Sequence, residues 1–360
     1  HNLIPKQRIA NVIHHHDFHI FGTKVGDTAF FDPRLRSIVH FRGRRYLMCC
    51  FYADGEQRID EYATGTAGFR GAEGTWRDAE DGKLGGNTIA QGAVDSTMLC
   101  TVNLPASGKQ TVYLVIGAGF AYEDLLELQR FVHRHMPQGV IDRTTSYWRL
   151  WLAANRAQFP AAGEGGPSEK ISDLYKRSLL LVRSQIDDGG AIIAANDSDV
   201  MQFSRDTYSY MWPRDGALVA NALDGAGFPD VSRNFYKFCE KIIVDAGFFL
   251  HKYNPDGSAA SSWHPWVSLG KPQIPIQEDE TALVVWALWK HFAIYRDIEF
   301  VRTTWSSLIC RAGDFLVRFR DPDTHLPLPS YDLWEERWGV HAFTVASVYG
   351  GLNAARQFAE

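Results

Sequence analysis

Polar and apolar residues alternate along much of the first 120 positions, which is the pattern of strands with one buried face. The runs that predict strands lie at residues 12–20, 36–41, 45–52, 96–104 and 111–116. Turns rich in Gly and Asp separate these runs, and no helical period lies between them. Several short strands without intervening helices predict an antiparallel β-sandwich, which we assign to residues 1–122.

After residue 122 the apolar residues recur every three or four positions, which is the period of a helix. We predict a helical linker over residues 123–163, with a Gly- and Pro-rich segment at 161–168, and an all-helical unit over 164–360. The predicted helices of that unit lie at 168–186, 214–226, 229–244, 278–295, 298–319 and 341–359.

Three connections in the helical part are longer than ordinary helix links, which span roughly two to eight residues. They are residues 187–213, 245–277 and 320–340. Short turns at one end of the helices and long loops at the other suggest a toroid with a site at one face. Because loops on a rigid scaffold often hold functional side chains, the chemistry should lie in these connections.

Composition narrows the class of protein. Of the 360 residues, 45% are hydrophobic and 22% are charged, as in ordinary globular proteins. The net charge is −5 and no block of five like charges occurs, so we expect no nucleic-acid partner. The longest apolar stretch, residues 112–122, is about half a membrane-spanning helix, so we expect no membrane partner either.

The cysteines and histidines give little sign of a metal or disulfide framework. The five cysteines form an odd set without repeated spacing, which favours a reducing compartment, the cytoplasm. The run His14–His16 could bind a metal, but its alternation with its neighbours favours a strand. We therefore expect neither a metal nor a cofactor, and the oligomeric state stays open.

The segment 212–216 places an Arg and an Asp side by side at a predicted helix start. Arg214 and Asp215 can serve one sugar hydroxyl together, because a guanidinium donates hydrogen bonds and a carboxylate accepts them. The same segment would also suit an Asp that caps the helix beside a surface Arg. For this segment alone, both interpretations stay open.

The connection 245–277 and the helix start that follows it combine tryptophans with acidic residues. Trp263 could stack on a sugar ring, and Gln277 and Glu280 could bind its hydroxyls. However, acidic residues in a first helical turn also interact favourably with the helix dipole, and the tryptophans could belong to a core. On its own, this segment favours the structural interpretation.

The connection 320–340 is the most informative, because Asp332, Glu335 and Glu336 lie among three aromatic residues. Neighbouring negative charges and an apolar wall both raise the pKa of a carboxyl group. A general acid needs a raised pKa if it is to stay protonated near neutral pH. Arg337 could instead neutralise one carboxylate and leave an ordinary ion-paired loop. Together, the three connections favour a carbohydrate enzyme whose sugar surface lies in the helical half.

Four ordered segments carry a family resemblance: Tyr-Met-Trp-Pro-Arg-Asp at 210–215, Ser-Trp-His-Pro-Trp at 262–266, Pro-Ile-Gln-Glu-Asp-Glu-Thr at 275–281 and Tyr-Asp-Leu-Trp-Glu-Glu at 331–336. They resemble the prokaryotic branch of glycoside hydrolase family 15, which includes glucoamylases, glucodextranases and some trehalases. The segment 74–82 extends the resemblance into the strand-rich part. The resemblance implies a β-sandwich, a helical linker and an (α/α)6 toroid. It also implies inverting hydrolysis, in which two carboxyl groups stand far enough apart to admit a water.

The resemblance also implies roles for individual residues. Glu335 matches the general acid that protonates the leaving glycosidic oxygen. Asp332 would adjust the pKa of that acid without contacting the substrate. Arg214 and Asp215 match the pair that binds the terminal glucose. The other substrate-binding residues that it implies are Trp334, Glu336, Trp263, Gln277 and Glu280.

The family's toroid has twice as many helices as the six predicted here, and its general base comes from the later half. We therefore expect an internal fragment that holds about the first half of the toroid, with the general base outside this sequence. Half a toroid would expose the inner faces of its helices, for example at Trp286, Leu288 and Trp289.

Three functions follow, of which the first is an exo-acting, inverting α-glucoside hydrolase of the glucoamylase type. It would release glucose from the non-reducing ends of an α-glucan or gluco-oligosaccharide. An α,α-trehalase of the same family is the nearest alternative. The third is a non-catalytic glucan-binding or regulatory scaffold. The intact segment around Glu335 argues against this function, but the lack of an assigned general base leaves it open.

Overall fold

The computed structural model describes residues 1–156, 169–196 and 207–360, and the chain divides into two compact units, His1–Tyr147 and Trp148–Glu360. The first unit is rich in strands and the second is helical, which confirms the predicted order of the two regions. The predicted Gly- and Pro-rich segment at 161–168 lies outside the described residues. Residues 197–206 of the connection 187–213 lie outside them as well.

Two antiparallel sheets form the strand-rich unit. The smaller sheet has three strands in the spatial order β1 (Arg8–His16), β8 (Val94–Leu104) and β6 (Glu61–Thr66). The larger sheet has the order β5 (Glu56–Arg58), β4 (Arg45–Ala53), β3 (Ser37–Arg42), β2 (Asp27–Asp32) and β7 (Ile89–Gly92), and β9 (Val112–Gly119) pairs with β4. Buried side chains from both sheets share one core, to which Phe51 and Met98 contribute from opposite sides.

The predicted end of the first strand is wrong, because β1 ends at His16 and does not continue to residue 20. Asp27 accepts a hydrogen bond from the backbone N–H of Ile20 at 3.2 Å, and Phe21 adopts a φ of 60°, so the chain turns there. The three histidines are strand residues, as predicted. Burial and then the imidazole of His14 lower the pKa of His16 to about 3, so this ring is neutral at physiological pH.

Helix α1 (Tyr122–Ala153) covers the outer face of the larger sheet with its first half. Its Leu125 is fully buried against Leu35, Val39 and Met48. The backbone leaves the helical region at Met136, directly before Pro137. Because proline has no N–H and its ring obstructs the preceding turn, the helix kinks at this point.

The helical unit follows the predicted pattern closely. Its helices are α2 (Glu169–Ser184), α3 (Pro213–Ala226), α4 (Pro229–Ile242), α5 (Glu278–Tyr295), α6 (Ile298–Thr304), α7 (Arg311–Arg318) and α8 (Ala342–Ala359). A π-helical turn at Trp305–Cys310 joins α6 to α7, so the predicted helix 298–319 is one helix with a local irregularity. None of the helices in the described part is long and apolar enough to cross a membrane.

Three helices run parallel and side by side, with α5 between α3 and α8. At one end Arg214 of α3 contacts Asp279 of α5 at 3.1 Å, and at the other end Asp224 contacts His291 at 2.8 Å. Behind them α4 runs antiparallel to α3, since its Ser232 donates to the carbonyl of Ala220. Parallel helices begin at the same end, so the starts of α3 and α5 meet.

The expectation of exposed inner faces is wrong for the three residues that suggested it. Leu288 is fully buried, and Trp286 and Trp289 pack partly against the core. The ring of Trp289 lies 5.0 Å from that of Phe358, edge to face. The reason is that α8 covers this side of α5. In the described residues the five cysteines form no disulfide, and four of them are buried.

The close packing of α3 on α4 predicts the effect of Gly216→Ala. A Cβ at Gly216 would lie 2.3 Å from Cε2 of the buried Phe235 ring, which cannot move without displacing α4. The free energy of unfolding should fall by about 1–3 kcal/mol. Urea unfolding followed by tryptophan fluorescence measures this, because ten of the eleven tryptophans lie beyond residue 147.

Gly225→Ala is the matched control, since it makes the same substitution in the same helix with no atom within 4 Å of the added Cβ. Alanine is up to about 1 kcal/mol better than glycine inside a helix, so this variant should be neutral or more stable. Equal losses in the two variants would contradict the packing described here.

Candidate active site

Two helix starts and two long connections meet at one end of the parallel helices. Arg214 and Asp215 lie in the first turn of α3, and Gln277 directly precedes α5. A bridge between Met211 and Tyr253 joins the connection after α4 to the segment that precedes α3. The connection after α7 forms a small hairpin of β10 (Ser330–Tyr331) and β11 (Trp338–Gly339) that presents Glu335.

Arg214 is the centre of this cluster, and only 8% of its surface is exposed. Its Nη1 lies 3.1 Å from Asp279 Oδ2 and 3.9 Å from Glu280 Oε1. Its Nη2 lies 3.7 Å from Asp215 Oδ2 and 4.0 Å from Glu335 Oε1. One guanidinium therefore faces four carboxyl groups, three of which come from the two helix starts.

Burial and charge act in opposite directions in this cluster. Burial works against the charge of Arg214, but Glu280, Asp279 and Asp215 together raise its pKa, so the guanidinium stays charged. Burial raises the pKa of Asp279 and Asp215, and it raises that of Glu280 well above its usual range. The nearby guanidinium opposes these three rises without cancelling them. The carboxyl groups of this acidic set therefore bind protons more readily than exposed carboxylates do.

Gln277 and Glu280, two predicted substrate-binding residues, lie in the cluster but are fully buried. Gln277 donates from Nε2 to the backbone carbonyl of Asp332 at 2.5 Å. Glu280 faces Arg214. In this arrangement the two side chains stabilise the helix starts and the turn that carries Glu335. They do not line an exposed surface.

Asp332 shapes the turn that carries Glu335. Its Oδ1 accepts hydrogen bonds from the backbone N–H groups of Glu336 at 2.9 Å and Arg337 at 3.1 Å. These bonds lower the pKa of Asp332 although burial acts to raise it. The turn lets Glu335 adopt a φ of 65°, and the N–H of Glu335 closes it on the carbonyl of Asp332.

Glu335 is held between two basic side chains, and 12% of its side chain is exposed. Its Oε2 lies 2.7 Å from Nε2 of His251, and its Oε1 faces Arg214. Burial acts to raise the pKa of Glu335, but the neighbouring His251 and then Arg214 lower it below its usual value. The prediction of a raised pKa is therefore wrong for this state.

The physical reason is that the groups closest in space differ from those closest in sequence. Asp332 directs its carboxylate into its own turn, and Glu336 is exposed. Arg337, which could have neutralised an acid, forms no ion pair with any carboxylate in the described part of the chain. The partners of Glu335 come from other connections.

Sequence reasoning missed three residues of the site: His251, His264 and Lys252. The imidazole rings of His251 and His264 stack at 4.0 Å, and His264 stacks on Tyr331 at 3.8 Å. The buried ammonium of Lys252 lies 4.0 Å from the ring centre of Trp263, a favourable cation–π distance. A signal existed for His264, which lies within the Trp-His-Pro-Trp segment. The run that holds His251 and Lys252 gave none.

The donor atoms of His251, His264 and Glu335 lie within 4.8 Å of one another, as metal ligands would. However, the planes of the two imidazole rings differ by only 24°, and the rings lie face to face. A metal binds about 2 Å from a ring nitrogen and in the plane of that ring. Two stacked rings with centres 4.0 Å apart direct their nitrogens side by side and not towards a common point. The geometry is therefore that of a hydrogen bond between His251 and Glu335.

Exposed aromatic surface flanks the buried cluster. Trp334 is 74% exposed, and Trp263, whose ring edge contacts His251, is about half exposed. Indole faces of this kind can pack on the apolar face of a pyranose ring, while Arg214 and Asp215 supply groups for its hydroxyls. The arrangement places a carboxyl group, a guanidinium and aromatic surface at the same end of the helical unit.

The sequence model of glycosyl hydrolases family 15 matches residues 169–360, which include every residue of this cluster. The chain belongs to glycosyl hydrolases family 15. The strand-rich unit lies outside the matched residues. Within the family 15 segment, the predicted residue Arg214 lies within 4.0 Å of both Asp215 and Glu335, and Trp334 directly precedes Glu335.

Two curated proteins resemble the family 15 chain. An uncharacterized glycosyl hydrolase of Methanocaldococcus jannaschii is 26% identical over 324 residues, which cover 88% of this chain and 47% of that protein. A glucoamylase of a Clostridium species is 24% identical over 200 residues, covering 53% of this chain and 24% of that protein. The chain thus spans about half or less of the length of these relatives.

The crystal structure of a bacterial glucoamylase complexed with acarbose superposes with a TM-score of 0.66 at 15% identity. The superposition covers 96% of the family 15 chain and 49% of the glucoamylase. At this level of identity the likeness concerns the fold, which both units of the chain share with that protein.

Glu278→Gln should make the stability of the protein less dependent on pH. Glu278 is fully buried at the start of α5, and burial, followed by Asp279, raises its pKa to about 9 from 4.5. The folded state therefore holds a proton that the unfolded chain releases. This contribution is complete below about pH 4.5 and is lost as the pH rises towards 9.

Urea unfolding between about pH 5 and about pH 9 gives the slope of the unfolding free energy against pH. This slope should be shallower in Glu278→Gln, by the amount that corresponds to about one bound proton. Glu299→Gln in α6 is the matched control, because Glu299 is exposed and should leave the slope unchanged. Identical slopes in Glu278→Gln and the wild type would overturn the assignment of a buried, protonated Glu278.

Proposed function

We propose that the protein is an exo-acting, inverting α-glucoside hydrolase of the glucoamylase type. The observation that carries the proposal is the position of Glu335, whose carboxyl group faces Arg214, the neighbour of Asp215, in a part of the molecule that also holds the exposed Trp263 and Trp334. The substrate is an α-glucan or gluco-oligosaccharide. Its terminal non-reducing glucose binds to Arg214 and Asp215, and the enzyme releases that glucose.

In the proposed reaction, Glu335 donates a proton to the glycosidic oxygen while the bond to the anomeric carbon breaks. A water attacks the anomeric carbon from the opposite face, and the configuration inverts. The carboxylate that activates this water is assigned to none of the described residues. Trp334 and Glu336 contact the sugars on either side of the bond, and Trp263 forms a wall of the pocket.

Charge and exposure support these roles. Arg214 stays charged and is held in place by buried carboxyl groups, so it presents fixed donors to a hydroxyl. Asp215 keeps 47% of its side chain exposed and can accept from the same sugar. The glucoamylase of Clostridium and the bacterial glucoamylase structure support a glucoamylase more than a trehalase.

Glu335→Gln should lower kcat on maltooligosaccharides by about 10²–10⁴-fold, because it removes the proton that a general acid supplies. Binding should persist, since the amide keeps the size of the side chain. Initial rates and calorimetric titration of the native full-length protein measure the two effects. Glu299→Gln, with its exposed carboxylate, should retain the wild-type rate.

The products distinguish the competing functions. Inversion predicts β-glucose as the first product in proton NMR spectra recorded during turnover, and α-glucose would refute the inverting mechanism. Cleavage of trehalose without cleavage of maltooligosaccharides would identify a trehalase instead. Binding of glucans by an inactive wild-type protein would identify a glucan-binding protein.

A further inference from the structure

His251 lies directly behind Glu335 and uses both of its ring nitrogens. Its Nε2 is 2.7 Å from Glu335 Oε2, and its Nδ1 is 2.9 Å from the hydroxyl of Ser262. Only 1% of the residue is exposed. The ring therefore makes these two contacts without competition from solvent.

The hydrogen bonds around Ser262 favour one tautomer of the imidazole. The backbone N–H of His264 donates to the Ser262 hydroxyl oxygen at 3.2 Å. The hydroxyl proton then remains to be donated to Nδ1 of His251, which in its neutral form carries its own proton on Nε2. That proton points at Oε2 of Glu335. The carboxyl group is thus held by a donor that is itself oriented by a second hydrogen bond.

Packing fixes the orientation of the ring. His264 stacks on one face of His251, and the edge of Trp263 meets it at 4.6 Å with an interplanar angle of 80°. His264 in turn stacks on Tyr331, so this stack joins the connection after α4 to the hairpin that carries Glu335. His251 cannot rotate away from Glu335 without disturbing this stack.

We propose that His251 is the positioning residue of the acid, an inference that rests on the proposed function. By binding Oε2, it leaves Oε1, the oxygen that faces Arg214, to donate the proton to the glycosidic oxygen. After the donation, the same hydrogen bond stabilises the carboxylate that remains on Glu335. The bond from Oε1 to hydrogen breaks, the bond from hydrogen to the glycosidic oxygen forms, and His251 keeps its own proton.

The other titratable groups that face Glu335 act at longer range. Arg214 from α3 and His264 from the same connection as His251 favour the carboxylate. Asp215 from α3 and Glu280 from α5 are negative neighbours that oppose it. In the described residues, His251 is the side chain that hydrogen-bonds to the Glu335 carboxyl group. Its removal should therefore change the titration of Glu335 in a defined direction.

His251→Phe is the principal test, because it retains a ring for the stack on His264 and removes both nitrogens. The pKa of Glu335 should rise, and the alkaline limb of the kcat/KM profile should move to higher pH. Loss of orientation should also lower kcat by up to about 100-fold. Carbon-13 spectra of glutamate-labelled protein follow the carboxyl titration without substrate, and Glu335→Gln identifies the signal.

Two further variants guard against misfolding of His251→Phe. His251→Gln keeps an amide N–H near the position of Nε2, so it should restore part of kcat. Ser262→Ala removes the partner of Nδ1 and should shift the Glu335 titration in the same direction by a smaller amount. His133→Phe, an exposed position on α1, is the matched control and should change neither the titration nor the rate.

The outcomes separate this inference from the proposed function. An unchanged Glu335 titration in His251→Phe and Ser262→Ala would overturn the inference, whatever the activity. A loss of kcat with no movement of the titration or of the alkaline limb would show a merely structural role, and this also overturns it. If the wild-type protein hydrolyses no glucoside, the proposed function fails, while the carboxyl titration still decides whether His251 controls Glu335.

Discussion

The charge of Arg214 is the constraint on which the helical unit and its site both depend. A buried guanidinium is tolerated only where carboxyl groups surround it, because an unpaired buried charge costs several kcal/mol. The starts of α3 and α5 supply Asp215, Asp279 and Glu280, so the two helices must begin side by side. The parallel arrangement and the position of the site therefore have one cause.

A second buried pair fixes the other end of the same two helices. Asp224 and His291 contact each other at 2.8 Å, and both are fully buried. Pairs at both ends determine which turn of α3 faces which turn of α5. The two ends differ in charge, however, because the Arg214 end holds more carboxyl groups than cations. Burial raises the pKa of these carboxyl groups, which opposes the excess of negative charge. The guanidinium and the carboxyl groups together supply hydrogen-bond donors and acceptors. A neutral sugar requires both.

The helices and most strands could be predicted because their periods are local properties of the sequence. The acidic run at the start of α5 could not be interpreted in the same way. The segment that holds Glu278 and Glu280 has the sequence of an ordinary, exposed first helical turn. Both residues are nevertheless fully buried, because α5 lies between α3 and α8. The same position explains why Leu288 is covered. Which helix occupies the middle of a row depends on tertiary packing, which the period of a single helix does not specify.

The candidate site was predictable where a motif carried it and not where two distant segments meet. The family motifs single out Arg214, Asp215 and Glu335, which lie close together in the structure, whereas the hydrogen-bond partner of Glu335 is 84 positions away in the sequence. For this reason the sequence predicts the wrong direction for the pKa of Glu335. Its sequence neighbours are acids, while its spatial neighbours are His251 and Arg214. Distances across the fold decide a pKa, and composition within a loop does not.

A lowered pKa in the free protein is compatible with the proposed role of Glu335 as an acid. Burial is the largest influence on this carboxyl group and acts to raise its pKa, while the basic neighbours reverse the outcome. Asp215 and Trp334 are still partly or largely exposed beside it. A sugar bound against these two residues would remove the remaining water and increase the burial of Glu335. Arg214 would at the same time turn part of its hydrogen bonding towards the sugar. Both changes favour the protonated carboxyl group, so the acid becomes competent when the substrate is in place.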